Sequence, residues 1–251
     1  MVLKSTRELD AMRSAGHVVA VALDAVFSAL EPGITTAELD DIARRKIRAE
    51  GAKPAFLGLY GFPGVACISL NAEIVHGIPG PRVVSDGDLV SVDCGAIVDG
   101  FYSDCARTAV VGEFADEESA RLIDVCRESL KRGIAQCVPH NRVGDVSDAI
   151  EQYVRDAGFE LVREYVGHGV GRALHEAPPV PNLGTPKTGP LLMEGMTIAI
   201  EPMIMTGSWE TEVLDDGWTV VTSDGSISAH FEHTVAITAD GPEILTQARQ
   251  D

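Results

Sequence analysis

The sequence predicts one compact α/β domain, and three observations carry that expectation. Helical patterning opens the chain, Val- and Ile-rich segments follow, and the same order begins again near residue 115. No Ser/Pro-rich linker or shift of composition separates the two runs. The 251 residues, 45% apolar and 23% charged, have the make-up of a soluble globular protein able to bury a sizeable core. Element order, without residue-level self-similarity, divides the domain into pseudo-repeat halves of about 5–111 and 115–240.

Ser5 and Glu8, at capping-box spacing, signal the first helix. Leu9, Met12, Gly16, Val19, Leu23, Val26 and Leu30 then form one apolar stripe, with Arg13, His17 and Asp24 on the other side. Glu31-Pro32-Gly33 stops this helix, and Thr35 with Glu38 starts a second that runs to about Glu50. Strands are expected at Val65–Leu70, Asp88–Val98 and Phe101–Val111. Glu117 and Glu118 open a third helix with the stripe Leu122, Val125, Cys126, Ser129, Leu130, Gly133 and Cys137. A fourth helix runs from about Asp145 to Ala157 and is closed by Gly158. Strand-like segments return at Glu160–Tyr165, Thr197–Met205, Trp218–Thr222 and Ala229–Thr238.

Asp93, Asp104, His168, Glu201 and Glu232 stand in apolar or glycine-rich stretches, where a charge is expensive unless something pairs with it. Four carboxylates and one imidazole suit two adjacent divalent cations, which implies a hydrolytic metalloenzyme. Asp99-Gly100 is a strong hairpin signal that pairs Val98 with Phe101 and Gly95 with Asp104. Asp93 and Asp104 then project from one face as diagonal neighbours about 7–8 Å apart. Cys94 and Cys105 oppose each other on the reverse face.

Gly167-His168-Gly169-Val170-Gly171 reads as a glycine-rich turn presenting an imidazole; it lacks the residues of a phosphate loop. His175-Glu176-Ala177-Pro178-Pro179 lacks the second histidine of a zincin, and its prolines forbid the helix. Glu201, within Ile198-Ala199-Ile200-Glu201-Pro202-Met203, needs a metal or a buried Arg as partner. In His230-Phe231-Glu232-His233-Thr234, alternation puts His230 beside Glu232 and turns His233 the other way, into packing.

The net charge of −18 argues against nucleic acid as a ligand. No apolar run reaches the length of a membrane span, and no signal-peptide core opens the chain. An odd set of five cysteines with no C-x-x-C pair points to reduced thiols in the cytoplasm.

From the first helix to about Ile237, the chain resembles the methionine aminopeptidases of the M24 metallopeptidases. The marks are Asn71 with His76-Gly77-Ile78-Pro79, the Asp93/Asp104 hairpin, the GHGVG segment, His175-Glu176-Ala177-Pro178, Ile200-Glu201-Pro202 and Glu232-His233-Thr234. The resemblance implies a pita-bread fold, a pseudo-two-fold antiparallel sheet with flanking helices around a dinuclear metal site. It implies that Asp93 chelates one ion and His168 with Glu201 the other, while Asp104 and Glu232 bridge both. His76 and His175 resemble histidines that contact substrate and steady the tetrahedral intermediate, and Glu201 resembles the general base. Phe62, Cys67 and Trp218 fit the apolar lining of a methionine pocket. Phe56, Leu59 and Leu174 stand where relatives often have Cys, Tyr and Phe, and all remain apolar.

Only 31 positions separate Glu201 from Glu232, too few for the helical insertion of type II enzymes, and no zinc-finger extension precedes the first helix; a compact bacterial-style type I enzyme is the best match. The implied activity is removal of methionine from nascent proteins when the second residue is small. Two divalent ions (Mn, Fe, Co or Zn), a monomer, and transient ribosome association come with it. The alternatives are an Xaa-Pro peptidase of the prolidase kind and a non-catalytic peptide-binding relative.

Overall fold

The computed structural model describes residues 2–113 and 116–248. Helix α1 (Thr6–Ser28) begins at the expected Ser5/Glu8 capping box, and α2 (Thr36–Ala49) at the Thr35/Glu38 box. They are followed by β1 (Lys53–Pro54), β2 (Ala66–Leu70), β3 (Glu73–Val75), β4 (Leu89–Val98) and β5 (Phe101–Val110). The second run holds α3 (Glu117–Ala135), α4 (Val143–Asp156), β6 (Glu160–Leu161), β7 (Gly167–Gly169), β8 (Glu176–Val180), β9 (Thr197–Ile200) and β10 (Met203–Met205). It ends with β11 (Thr211–Val213), β12 (Val220–Thr222), β13 (Ser228–His230), β14 (His233–Thr238) and β15 (Gly241–Ile244).

The described strands pair antiparallel. Strand β4 pairs with β5 along one edge and with β2 and β1 along the other. In the second run the order is β15-β14-β9-β7-β8, so β7-β9-β14 follows the same pairing as β2-β4-β5. Helices α1 and α2 cover the first sheet with Leu23, Val26, Leu39 and Ile47 packed on Ile68, Val90 and Val92. Helices α3 and α4 cover the second with Leu122, Leu130 and Ile150 packed on Ile198, Ile200 and Val235. Gly16 of α1 lies so close to the chain after β15 that an added Cβ would stand 2.2 Å from the Leu245 carbonyl oxygen.

Four expectations are corrected. The segment 197–205 is two strands, broken at Glu201-Pro202, and 229–238 is broken at Phe231-Glu232; β9 pairs with β14 in one sheet and β10 with β13 in another. At the first break Pro202 supplies no N–H to the ladder, and the strands on its two sides take their partners in different sheets. The GHGVG segment starts with a strand, not a turn. Its glycines serve close strand approach, since a Cβ on Gly167 or Gly169 would lie 2.4 Å from a carbonyl oxygen of Ala199 or Ala177. The prolines of β8 forbid a helix as expected but not a strand, because β8 is a sheet edge. The segment 160–165 pairs only at Glu160 and Leu161.

Candidate metal centre and substrate cavity

The β4–β5 hairpin turns at Asp99 (φ 51°) and Gly100 (φ 78°), both left-handed as a two-residue turn of this kind requires. Its register runs unshifted, Val98 opposite Phe101, Gly95 opposite Asp104 and Cys94 opposite Cys105. Cys94 and Cys105 are free, buried thiols on the helix-facing side, and Asp93 and Asp104 line a cavity on the other. Glu201 and Glu232 enter the same cavity from the two strand breaks, and His168 from β7.

A seam of hydrogen bonds fixes the second pair of acids against the first. The Thr234 hydroxyl accepts from the Asp104 amide at 3.1 Å and lies 2.9 Å from its carbonyl oxygen and 3.1 Å from Oδ1. Two residues along, the Glu232 amide donates to the Ala106 carbonyl at 2.9 Å. The Cys105 thiol donates to the Glu232 carbonyl at 2.8 Å. Two further along, the Thr108 hydroxyl donates to the His230 carbonyl at 2.8 Å and accepts from the His230 amide at 2.9 Å.

His168 Nε2 lies 3.6 Å from Asp104 Oδ2 and 3.6 Å from Glu201 Oε1. Its Nδ1 is 2.9 Å from the Gly169 carbonyl, which holds the proton on Nδ1 and leaves the Nε2 lone pair facing the acids. One ligand atom each from Asp104, His168 and Glu232 lies within 4.8 Å of the others. Glu201 joins them through His168, and Asp93 stands on the same cavity wall. The Asn182 side-chain amide donates to the Glu201 carbonyl at 3.0 Å and so anchors the break after β9.

Buried Asp93 Oδ1 and Glu232 Oε1 have no hydrogen-bond partner. Burial, with mutual repulsion among the acids, pushes the carboxyls of Asp93, Glu201 and Glu232 well above the usual range. Burial raises Asp104 as well, against the opposing pull of His168. Among the described residues lining the cavity, none is Lys or Arg, so no side-chain cation answers the acids. Acceptor-only oxygens packed with an imidazole and no counter-charge fit divalent metal ions.

Beyond the acids the cavity, about 490 Å³, is walled by Phe56, Leu59, Phe62, Cys67, Leu174 and Trp218, all the apolar residues the sequence nominated. His76 and His175 line it too. His76 adopts φ 62° and meets Tyr165 and Trp218 edge-on at 5.6 and 6.4 Å. His175 packs edge-on against His168 at 4.5 Å, and partial burial with repulsion from His168 and His76 lowers its pKa to about 4. The loop before it is held by Glu176, which accepts from the Arg172 and Ala173 amides and pairs with buried Lys4 at 2.9 Å. As alternation required, His230 lines the cavity, whereas His233 turns away to bond Thr246 at 2.8 Å.

The model of metallopeptidase family M24 matches residues 10–239. The chain belongs to that family. It is 52% identical over 246 residues to a methionine aminopeptidase of Clostridium perfringens, covering 98% of each chain. It is 49% identical to methionine aminopeptidase 1 of Bacillus subtilis, covering 98% of this chain and 99% of that one. The crystal structure of a methionine aminopeptidase from Thermotoga maritima matches with TM-score 0.97 and 47% identity, over 98% of this chain and 99% of that one. Prolidase from Pyrococcus furiosus shares the fold, at TM-score 0.81 and 23% identity, with this chain covering 66% of that one. Membership in M24 makes the protein a metal-dependent peptidase with the pita-bread architecture.

Several residues of the cavity carry no signal in the sequence. Tyr60, Val75 and Tyr165 line the cavity. Val75 and Tyr165 are ordinary residues of apolar segments, and Tyr60 sits between glycines in a stretch with no regular period, so none carries a local signal. The hydroxyls of Thr108 and Thr234 look in sequence like strand-formers and nothing more.

Proposed function

We propose that this chain is a methionine aminopeptidase, one catalytic domain that removes the N-terminal methionine of newly made proteins when the second residue is small. The observation that carries the reading is the set of unpartnered carboxylate oxygens in a cavity otherwise walled by apolar side chains. Near full-length identity to methionine aminopeptidases supports it.

Asp93 would hold one dication, His168 and Glu201 a second, and Asp104 and Glu232 would be shared, so that four negative charges meet four positive ones. The oxygen-rich set suits Mn and similar ions, and the imidazole admits Fe, Co or Zn. When bound, such ions supply Lewis-acid chemistry, lowering the pKa of water and polarising a carbonyl. Phe56, Leu59, Phe62, Cys67, Leu174 and Trp218 bury the methionine side chain and exclude water from it. Glu201, beside His168 in the acid cluster, serves as general base, taking a proton from water and returning it to the leaving amine. His175 and His76, both with lowered pKa, act as neutral imidazoles able to donate an N–H to the oxygen where charge develops.

Five buried free thiols support a reducing, cytoplasmic setting, and no described helix is long and apolar enough to cross a membrane. Substrate would then be met as a monomer, at chains emerging from the ribosome. The net charge of −18 supports contact with peptide over RNA. Elemental analysis of protein purified without chelator, paired with a peptide panel, tests the reading. Bound dications with cleavage of Met-Ala-Ser and not of Ala-Pro peptides is the expected result. Cleavage of the Ala-Pro peptides alone, or binding without turnover, would overturn it.

A further inference from the structure

Tyr60 occupies a conformation that a tyrosine adopts only under constraint. Its φ is 51°, in the left-handed region where a Cβ crowds the backbone, and its neighbours Gly58 and Gly61 are also left-handed, at 82° and 93°. Burial does not offset the strain, because Tyr60 is 78% exposed. Glycine would fit the same backbone without penalty. A strained residue that gains little from packing points to a role in function.

Its position says which. The ring lines the mouth of the cavity and stacks on His175, with centroids 6.1 Å apart and an interplanar angle of 11°. His175 in turn stands against His168 at the acid cluster. With a methionine in the apolar pocket and the scissile carbonyl at His175, a path outward for the second residue runs past the Tyr60 ring. A flat wall at that place leaves room for a short second side chain and meets a long one.

We propose that Tyr60 is a specificity-determining residue, whose ring walls the site of the substrate's second side chain. The inference rests on the aminopeptidase reading above and deepens it. Trimming the ring opens that wall, whereas losing only its hydroxyl leaves the wall in place.

The test compares wild type, Tyr60→Gly and Tyr60→Phe, each loaded with Mn, on Met-Ala-Ser and Met-Leu-Ser peptides. For Tyr60→Gly the kcat/KM ratio of the leucine to the alanine peptide rises by on the order of tenfold, the effect of a methylene-sized change in fit. Tyr60→Phe keeps the wild-type ratio. Thermal unfolding supplies the second readout: relief of strain keeps the Tm of Tyr60→Gly at or above that of wild type. A ratio within twofold of wild type in Tyr60→Gly, with the alanine peptide still cleaved, overturns the Tyr60 proposal alone. Absence of turnover on both peptides by wild type overturns the aminopeptidase reading and this proposal with it.

Discussion

The two halves of the molecule deliver their acids to one cavity by different means. In the first, Asp93 and Asp104 ride on continuous strands whose register a two-residue turn dictates. In the second, Glu201 and Glu232 stand where strands stop and change sheets, β9 to β10 and β13 to β14. The difference separates two ways of placing an acidic side chain. A hairpin places it by counting, since every position follows from the turn. A strand break places it through whatever holds the broken ends, here Asn182 on the Glu201 carbonyl and the Thr108–Thr234 seam on both sides of Glu232. The first half is thus set by local sequence and the second by tertiary contacts.

The largest effect belongs to the acid on which both halves converge. Asp104→Asn is expected to reduce peptidase activity to background and to abolish metal binding, measured by elemental analysis and turnover. In the metal-free protein the same change removes one member of a mutually repelling set, so its Tm should rise at neutral pH. A folded Asp104→Asn protein with normal metal content would sink the assignment of this residue.

Next comes pH. The acids' folded pKa values lie above their unfolded ones, so in metal-free protein their contribution to stability is complete below about pH 4 and is lost as pH rises through the raised range. Metal binding must displace those protons, so affinity should climb with pH. Calorimetric titrations in buffers of different ionisation enthalpy should register proton release. His233 works in the opposite sense. Burial lowers its pKa to about 4, so its contribution is present above about 6.5 and is lost as pH falls towards 4, a change of about 3 kcal/mol. His230, held at about 3 by burial, adds to the same loss. Between about pH 4 and 6.5 the two sets therefore pull in opposite senses, and loading with metal, which removes the acids' protons, should shift the Tm maximum of the protein to higher pH.

The seam between the halves gives a third, smaller effect. Thr234→Val keeps the branched shape and deletes the hydroxyl that meets the Asp104 amide and carboxylate. Metal affinity should fall about 10–100-fold, as when a ligand loses the partner that orients it. Thr234→Ser should restore most of it. Equal affinities in the valine and serine variants would show that the seam serves packing only.

How much of this was legible in sequence follows the same division. Asp99-Gly100 made the hairpin readable to the residue, and a lone acid in Ile198–Met203 marked Glu201 as a site. The break beside it had one signal, Pro202, but a proline alone does not tell whether a strand ends or changes sheets. The glycines around His168 misled for a related reason. A glycine required by a close neighbouring strand has the same letter as one required by a turn, and only the 2.4 Å approach to the Ala199 carbonyl tells them apart. Tyr60 was invisible, since nothing in its own side chain announces a left-handed backbone.

The smallest effect asks what makes the strand switch at Glu201. Either Pro202 breaks the ladder by lacking an N–H, or the separate partners of β9 and β10 pull the two ends into different sheets. Pro202→Ala returns the N–H and loosens the unfolded chain. If the partners decide, the only consequence is the entropic one, a loss of about 0.4–1 kcal/mol and a few degrees of Tm, with metal affinity unchanged. If the proline decides, the ladder has a donor with which to run on through Glu201, the carboxylate is displaced from His168, and metal affinity falls together with Tm. The structure favours the first outcome. β9 is locked between β7 and β14, β10 between β6 and β13, and Asn182 holds the carbonyl at the junction whether or not the next residue is proline.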